Sequence, residues 1–130
     1  MAQKEALALA KSRLLLVEDN LAVRDATRML LRVEGYHVAE AGSLREALQK
    51  AREPEGIDLL ITDYHLEGET GVEVIAAVRA ALRGPLKVIL LTGDTESVTR
   101  ELPGDPDLRV TGKPIKAAEF LTLVRTLLTG

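Results

Sequence analysis

IDLLITD, residues 57–63, holds an apolar run from Ile57 to Ile61, broken only by Asp58, and ends on a second aspartate, Asp63. A run this short and this continuous, without alternation, fits a strand buried on both faces, as in a parallel sheet. Two other runs have the same character: Leu14 to Val17 and Val88 to Leu91. Two weaker strands are expected at Tyr36 to Ala41 and Leu108 to Thr111, where mixed composition suits edge positions.

Between these runs the apolar period becomes helical. Val23, Ala26, Thr27, Leu30 and Leu31 share one helix face behind Asn20 as N-cap. Leu44, Ala47, Leu48 and Ala51 repeat the pattern behind Ser43 and Glu46 in capping-box spacing. Thr70 and Glu73 set the same box before Val72, Ile75, Ala76 and Leu82. Phe120, Leu121, Val124, Leu127 and Leu128 make a last stripe, read as core packing. The crossover at Thr95 to Leu102 is short, because Pro103 and Pro106 limit it. Five strand–helix repeats imply an α/β fold with helices on both faces of a parallel sheet. With right-handed crossovers and the first, third and fourth strands most apolar, the expected architecture is a flavodoxin-like doubly wound (βα)5 sandwich of strand order 2-1-3-4-5. Residues 1–11, charged and Ala-rich, are expected to form a helical extension or linker, and residues 12–130 a single domain.

Composition narrows the function classes. The chain has 130 residues, 46% of them hydrophobic, and only three aromatics (Tyr36, Tyr64 and Phe120), so its core is aliphatic. A net charge of −3 and the lack of a dense Lys/Arg cluster argue against nucleic-acid binding. No cysteine is present, and the two histidines, His37 and His65, are far apart, which disfavours zinc. No apolar run approaches the roughly 20 residues of a membrane span, and the N-terminus lacks a secretory signal pattern. A cytoplasmic domain without membrane contact is expected.

The chemistry lies in what closes the strands. Glu18 and Asp19 follow the first, Asp63 the third, Thr92 the fourth and Lys113 the fifth. In an open α/β sheet, sites form outside the carboxyl ends of strands near the switch point. Three crowded carboxylates repel one another, and a hard divalent cation such as Mg²⁺ relieves the repulsion. Asp63, on the central strand, can then act as a nucleophile toward phosphorus. Lys113 and the Thr92 hydroxyl can bind phosphoryl oxygens, and such positioning is most of phosphoryl-transfer catalysis.

The segments LLLVEDN, LLITDYHLEGETG, VILLTGD and TGKP, in this order, resemble the receiver domains of response regulators and hybrid histidine kinases over about residues 12–129. The resemblance implies that Asp63 is the phosphorylation site. It further implies Mg²⁺ held by Asp19, Asp63 and the His65 backbone carbonyl, with Glu18 acting through water. Thr92 would be the switch hydroxyl, and Lys113 the phosphate-binding lysine with a cis bond to Pro114. His65 would flank the phosphoryl group and tune its loss. The partner would be a histidine kinase or a histidine phosphotransfer domain, and the domain itself a monomer or weak dimer. It would carry self-phosphorylation and autodephosphorylation chemistry without being a conventional enzyme. The expected context is a hybrid histidine kinase or phosphorelay, with a stand-alone single-domain regulator as the alternative.

Two departures concern output. Val110 stands three residues before Lys113, where many receivers have Tyr or Phe, and Lys116 occupies a position suited to a capping Asp or Ser. Among rivals, a haloacid-dehalogenase-like phosphatase would carry its nucleophile in a D-x-D pattern after the first strand, whereas here Glu18-Asp19 stands there. An FMN carrier would need a phosphate loop at that position and aromatics to sandwich the flavin. A degenerate, unphosphorylated receiver would not require all five polar residues.

Overall fold

In a computed structural model, residues 12–102 and 104–130 are described; the expected N-terminal extension lies outside them. The main strands are β1 (Arg13–Val17), β2 (His37–Ala41), β3 (Leu59–Asp63), β6 (Val88–Thr92) and β7 (Leu108–Gly112). They pair in the order β2-β1-β3-β6-β7, all parallel. This is the doubly wound, flavodoxin-like order, with the two mixed strands at the edges. Two short strands, β4 (His65–Leu66) and β5 (Glu69–Thr70), add an antiparallel hairpin directly after β3 that the apolar pattern did not announce.

Helices α1 (Leu21–Val33), α2 (Leu44–Ala51), α3 (Gly71–Leu82) and α4 (Thr95–Glu101) fill the crossovers, and α5 (Ala117–Thr129) follows β7. Alternate residues of the buried strands face opposite layers. Leu15, Val17, Leu60, Val88 and Leu90 pack with Ala47, Ala51, Val74, Ile75, Val78 and Val98 of α2, α3 and α4. Leu14, Leu16, Leu59, Ile61, Ile89 and Leu91 pack with Leu31, Phe120, Val124 and Leu127 of α1 and α5. Both faces of the central strands are thus dry, which is why their sequences are continuous rather than alternating.

The expected caps form. Asn20, Ser43 and Thr70 side chains accept the amides of Val23, Glu46 and Glu73. Glu46 does not close its box on Ser43 but reaches one residue further, to the Gly42 amide at 2.6 Å. Lys116 precedes α5 without a side-chain cap. Two expectations are corrected. Strand β3 starts at Leu59 because Asp58 accepts the Arg13 amide at 2.9 Å and leaves the run to tie β1. In α3 the buried face is Gly71, Val74, Ile75 and Val78, while Val72 is half-buried and Ala76 exposed. That helix is apolar nearly all round, so its period does not select a face.

Candidate functional site

The carboxyl ends of β1, β3 and β7 bring Glu18, Asp63 and Lys113 to one point. Register explains it: Val17 pairs with Thr62, and Asp63 with Leu91, so Glu18 and Asp63 leave adjacent strands side by side. The Lys113 Nζ donates to Glu18 Oε1 at 2.8 Å and to Asp63 Oδ2 at 3.0 Å. Lys113 itself is held by its amide, which donates to the Thr92 carbonyl at 2.9 Å. The following Lys113–Pro114 peptide is cis, as the resemblance implied.

Asp19 completes the cluster. One carboxylate oxygen each from Glu18, Asp19 and Asp63 lies within 4.8 Å of the others. Glu18 and Asp63 are buried, whereas Asp19 is exposed. Its Oδ2 accepts the Glu67 amide at 2.7 Å, which brings the β4–β5 hairpin over the cluster. The Glu18 amide is fixed by the Ala41 carbonyl, and its Oε2 accepts the Asn20 amide.

Burial pushes the Glu18 carboxyl above its ordinary range; the Lys113 hydrogen bond pulls down, and the Asp63 charge pushes up again. Burial alone would lower the Lys113 ammonium. The hydrogen bonds it donates to Glu18 and Asp63 outweigh this and hold it above its usual value. A cluster of two buried anions and one cation, with a third carboxylate at its mouth, retains excess negative charge. Such a site suits a hard divalent cation bound through oxygen.

Thr92, buried at the end of β6, stands one residue beyond Leu91, the register partner of Asp63. Its hydroxyl accepts the Asp94 amide at 3.1 Å and keeps its own proton to donate. His65 is exposed, like Asp19. It lies two residues past Asp63 in β4, and its ring meets Tyr64 edge-on at 4.7 Å between centroids. Among the described residues, the structure therefore joins Glu18, Asp19, Asp63 and Lys113 directly. Thr92 and His65 border them without a hydrogen bond to the carboxylates.

Two contributors escaped the sequence reading. Glu67 acts through its backbone amide, which no side-chain identity reveals. Gly71 opens α3 beneath the site, where a β-carbon would collide with the Asp63 carbonyl and come within 2.8 Å of Leu90 Cδ1. The Gly71 amide in turn donates to the Tyr64 carbonyl at 2.7 Å. A glycine at the start of a helix, where propensity opposes it, was the available signal.

Comparison with known proteins agrees with this geometry. The response regulator receiver domain family matches residues 14–125. The DNA-binding response regulator MtrA of Mycobacterium tuberculosis (strain ATCC 25618 / H37Rv) is 30% identical over 118 residues, covering 91% of this chain and 51% of MtrA. The chain thus spans about half the length of the curated relatives it matches. Among solved structures, the receiver domain of the hybrid histidine kinase CckA superposes with a TM-score of 0.76 at 33% identity, covering 90% of this chain and 99% of that one. The receiver domain of sensor histidine kinase PA1611 from Pseudomonas aeruginosa PAO1, solved with a magnesium ion in its active-site cleft, gives a TM-score of 0.76 at 26% identity over 92% of this chain and 99% of its own. The chain belongs to the response regulator receiver domains of two-component signal transduction.

Proposed function

We propose that Asp63 is the phosphoacceptor of this receiver, taking a phosphoryl group from a phosphohistidine on a histidine kinase or a histidine phosphotransfer domain. The observation that carries the reading is the placement of Asp63 Oδ2 3.0 Å from Lys113 Nζ, inside a three-carboxylate cluster at the carboxyl edge of the central strands. A free Asp63 carboxylate oxygen attacks phosphorus as the phosphorus–nitrogen bond breaks. The electron pair returns to the leaving imidazole, and an aspartyl phosphate forms. Lys113 turns from its carboxylate partners toward the new phosphoryl oxygens, and Thr92 donates its hydroxyl proton to one of them.

Mg²⁺ fits the donor set. Asp19, Asp63 and the His65 backbone carbonyl would hold it, with Glu18 acting through water; bound there, it neutralises charge on the phosphoryl oxygens. His65, exposed beside the acceptor, would border the phosphoryl group and set how readily water removes it.

The parent protein is best read as a hybrid histidine kinase or phosphorelay component. The 33% identity to the CckA receiver, matched over 99% of that chain, supports this reading. The second reading is a receiver within a longer response regulator, as the 30% identity to the DNA-binding response regulator MtrA over 51% of its length supports. Val110 favours the first, because it offers no ring for the aromatic switch of many transcriptional receivers.

Beryllofluoride, a tetrahedral phosphoryl mimic, tests the site. Amide NMR shifts centred on Asp63, Thr92 and Lys113 are expected when it is added with Mg²⁺, and none without the metal. Shifts centred elsewhere, or no shifts, would contradict the assignment.

A further inference from the structure

The β4–β5 hairpin carries the Glu67 amide that donates to Asp19, and it carries His65, whose carbonyl the Mg²⁺ reading above assigns to the metal. Its strands are only two residues each, and an isolated ribbon of that size has little stability of its own. The turn between them, Glu67 and Gly68, is exposed, with Gly68 at a left-handed φ of 77°. Something outside the hairpin must hold it in place.

The buried Leu66 provides one anchor. The other is Glu69, which is half-buried and reaches across to a different element. Its Oε1 accepts the amide of Leu44, the first residue of α2, at 2.7 Å. Ser43 caps the third helical residue, Glu46, so the two side chains serve different amides of the first turn. A carboxylate at this helix terminus is favoured both by the charge-assisted bond and by the helix dipole. Glu69 lies directly across the hairpin from Leu66, two residues after Glu67. The tie therefore acts next to the amide that holds Asp19.

We infer that Glu69 is a positioning residue for the metal site: by capping α2 from the hairpin, it locks the Glu67 amide and His65 carbonyl over Asp19 and Asp63. The inference rests on the Mg²⁺ reading above, and a metal-free readout separates the two. Without Glu69 the hairpin keeps Leu66 but loses its tie to α2. Asp19 loses its orienting donor, and the carbonyl ligand is no longer pre-placed. Removing a group that orients metal ligands commonly weakens affinity about tenfold or more.

Calorimetric Mg²⁺ titration of the parent, Glu69→Ala, Glu69→Gln and Ser43→Ala tests this. Glu69→Ala should weaken Mg²⁺ binding about tenfold. Glu69→Gln, which keeps an acceptor oxygen, should recover most of the loss. Ser43→Ala removes the other α2 cap without touching the hairpin and should bind Mg²⁺ like the parent. In the metal-free chain, the Glu67 amide should exchange with solvent faster in Glu69→Ala. Unchanged affinity in Glu69→Ala, or an equal loss in Ser43→Ala, would overturn the inference while leaving the metal site standing. A parent chain that binds no Mg²⁺ would overturn both, whereas unchanged Glu67 exchange would overturn the positioning role alone.

Discussion

With Glu18 and Asp63 both inside hydrogen-bond reach, the Lys113 ammonium is the counterion of the metal-free site. The carboxylate repulsion expected from sequence is thus partly relieved by the protein's own lysine. Breaking a largely buried pair by removing one partner leaves charge uncompensated, which is the costly case. Lys113→Met should therefore destabilise the metal-free domain by about 2 kcal/mol. Mg²⁺ should then stabilise the variant more than the parent in thermal melts; equal stabilisation would show that lysine and metal do not share the anions. Gly71 supplies a second prediction at this scale. The contact of a new β-carbon falls on backbone, the Asp63 carbonyl, which cannot rotate away. Gly71→Ala should cost about 2 kcal/mol by overpacking and displace Asp63, so its phosphoryl uptake should fall as well. A variant as stable and as reactive as the parent would remove Gly71 from the account.

At the scale of elements, the α3 C-terminal region is fastened to the loop before β7. Arg79 donates to Asp105 at 2.6 Å and to the Leu86 carbonyl at 2.8 Å. The Arg79 hydrogen bond holds the Asp105 carboxyl below its usual value. A depressed carboxylate contributes stability that is complete above its unfolded value of 3.8 and is lost as pH falls through the lower folded value. Asp105→Asn should thus cost about 1 kcal/mol at neutral pH, and urea melts in strongly acid solution should no longer separate it from the parent. A penalty independent of pH would contradict the ion pair. The same scale shows what was legible beforehand. The three continuous apolar runs and the caps Asn20, Ser43 and Thr70 are local signals; the caps lie where expected, and each run forms a strand, that of β3 starting two residues late. The buried face of α3 and the β4–β5 hairpin were not legible, because the first depends on which side of an almost wholly apolar helix meets the sheet and the second on a pairing of two residues per strand. Glu18, Asp19, Asp63 and Lys113 could be grouped from strand ends alone. The Glu67 amide and the Glu69 cap could not, since both depend on tertiary contacts to a loop.

Across the whole molecule, two aliphatic layers bury the central strands from both sides and leave only their carboxyl ends polar. No helix of the described residues is long and apolar enough to cross a membrane. Tyr64, the residue after Asp63, donates its hydroxyl to Glu101 at the end of α4 at 2.7 Å. This bond connects the acceptor strand to the helix beside β7, where Val110 offers no aromatic ring. Asp63, presented at the carboxyl edge beside Lys113 and two further carboxylates, is the proposed phosphoacceptor. The most direct test of this assignment is intact-mass spectrometry of the parent and Asp63→Asn after incubation with Mg²⁺ and a small phosphodonor. A single phosphoryl mass gain is expected in the parent, lost on chelating the metal and absent from Asp63→Asn. A gain retained in the variant, or absent from both, would contradict it.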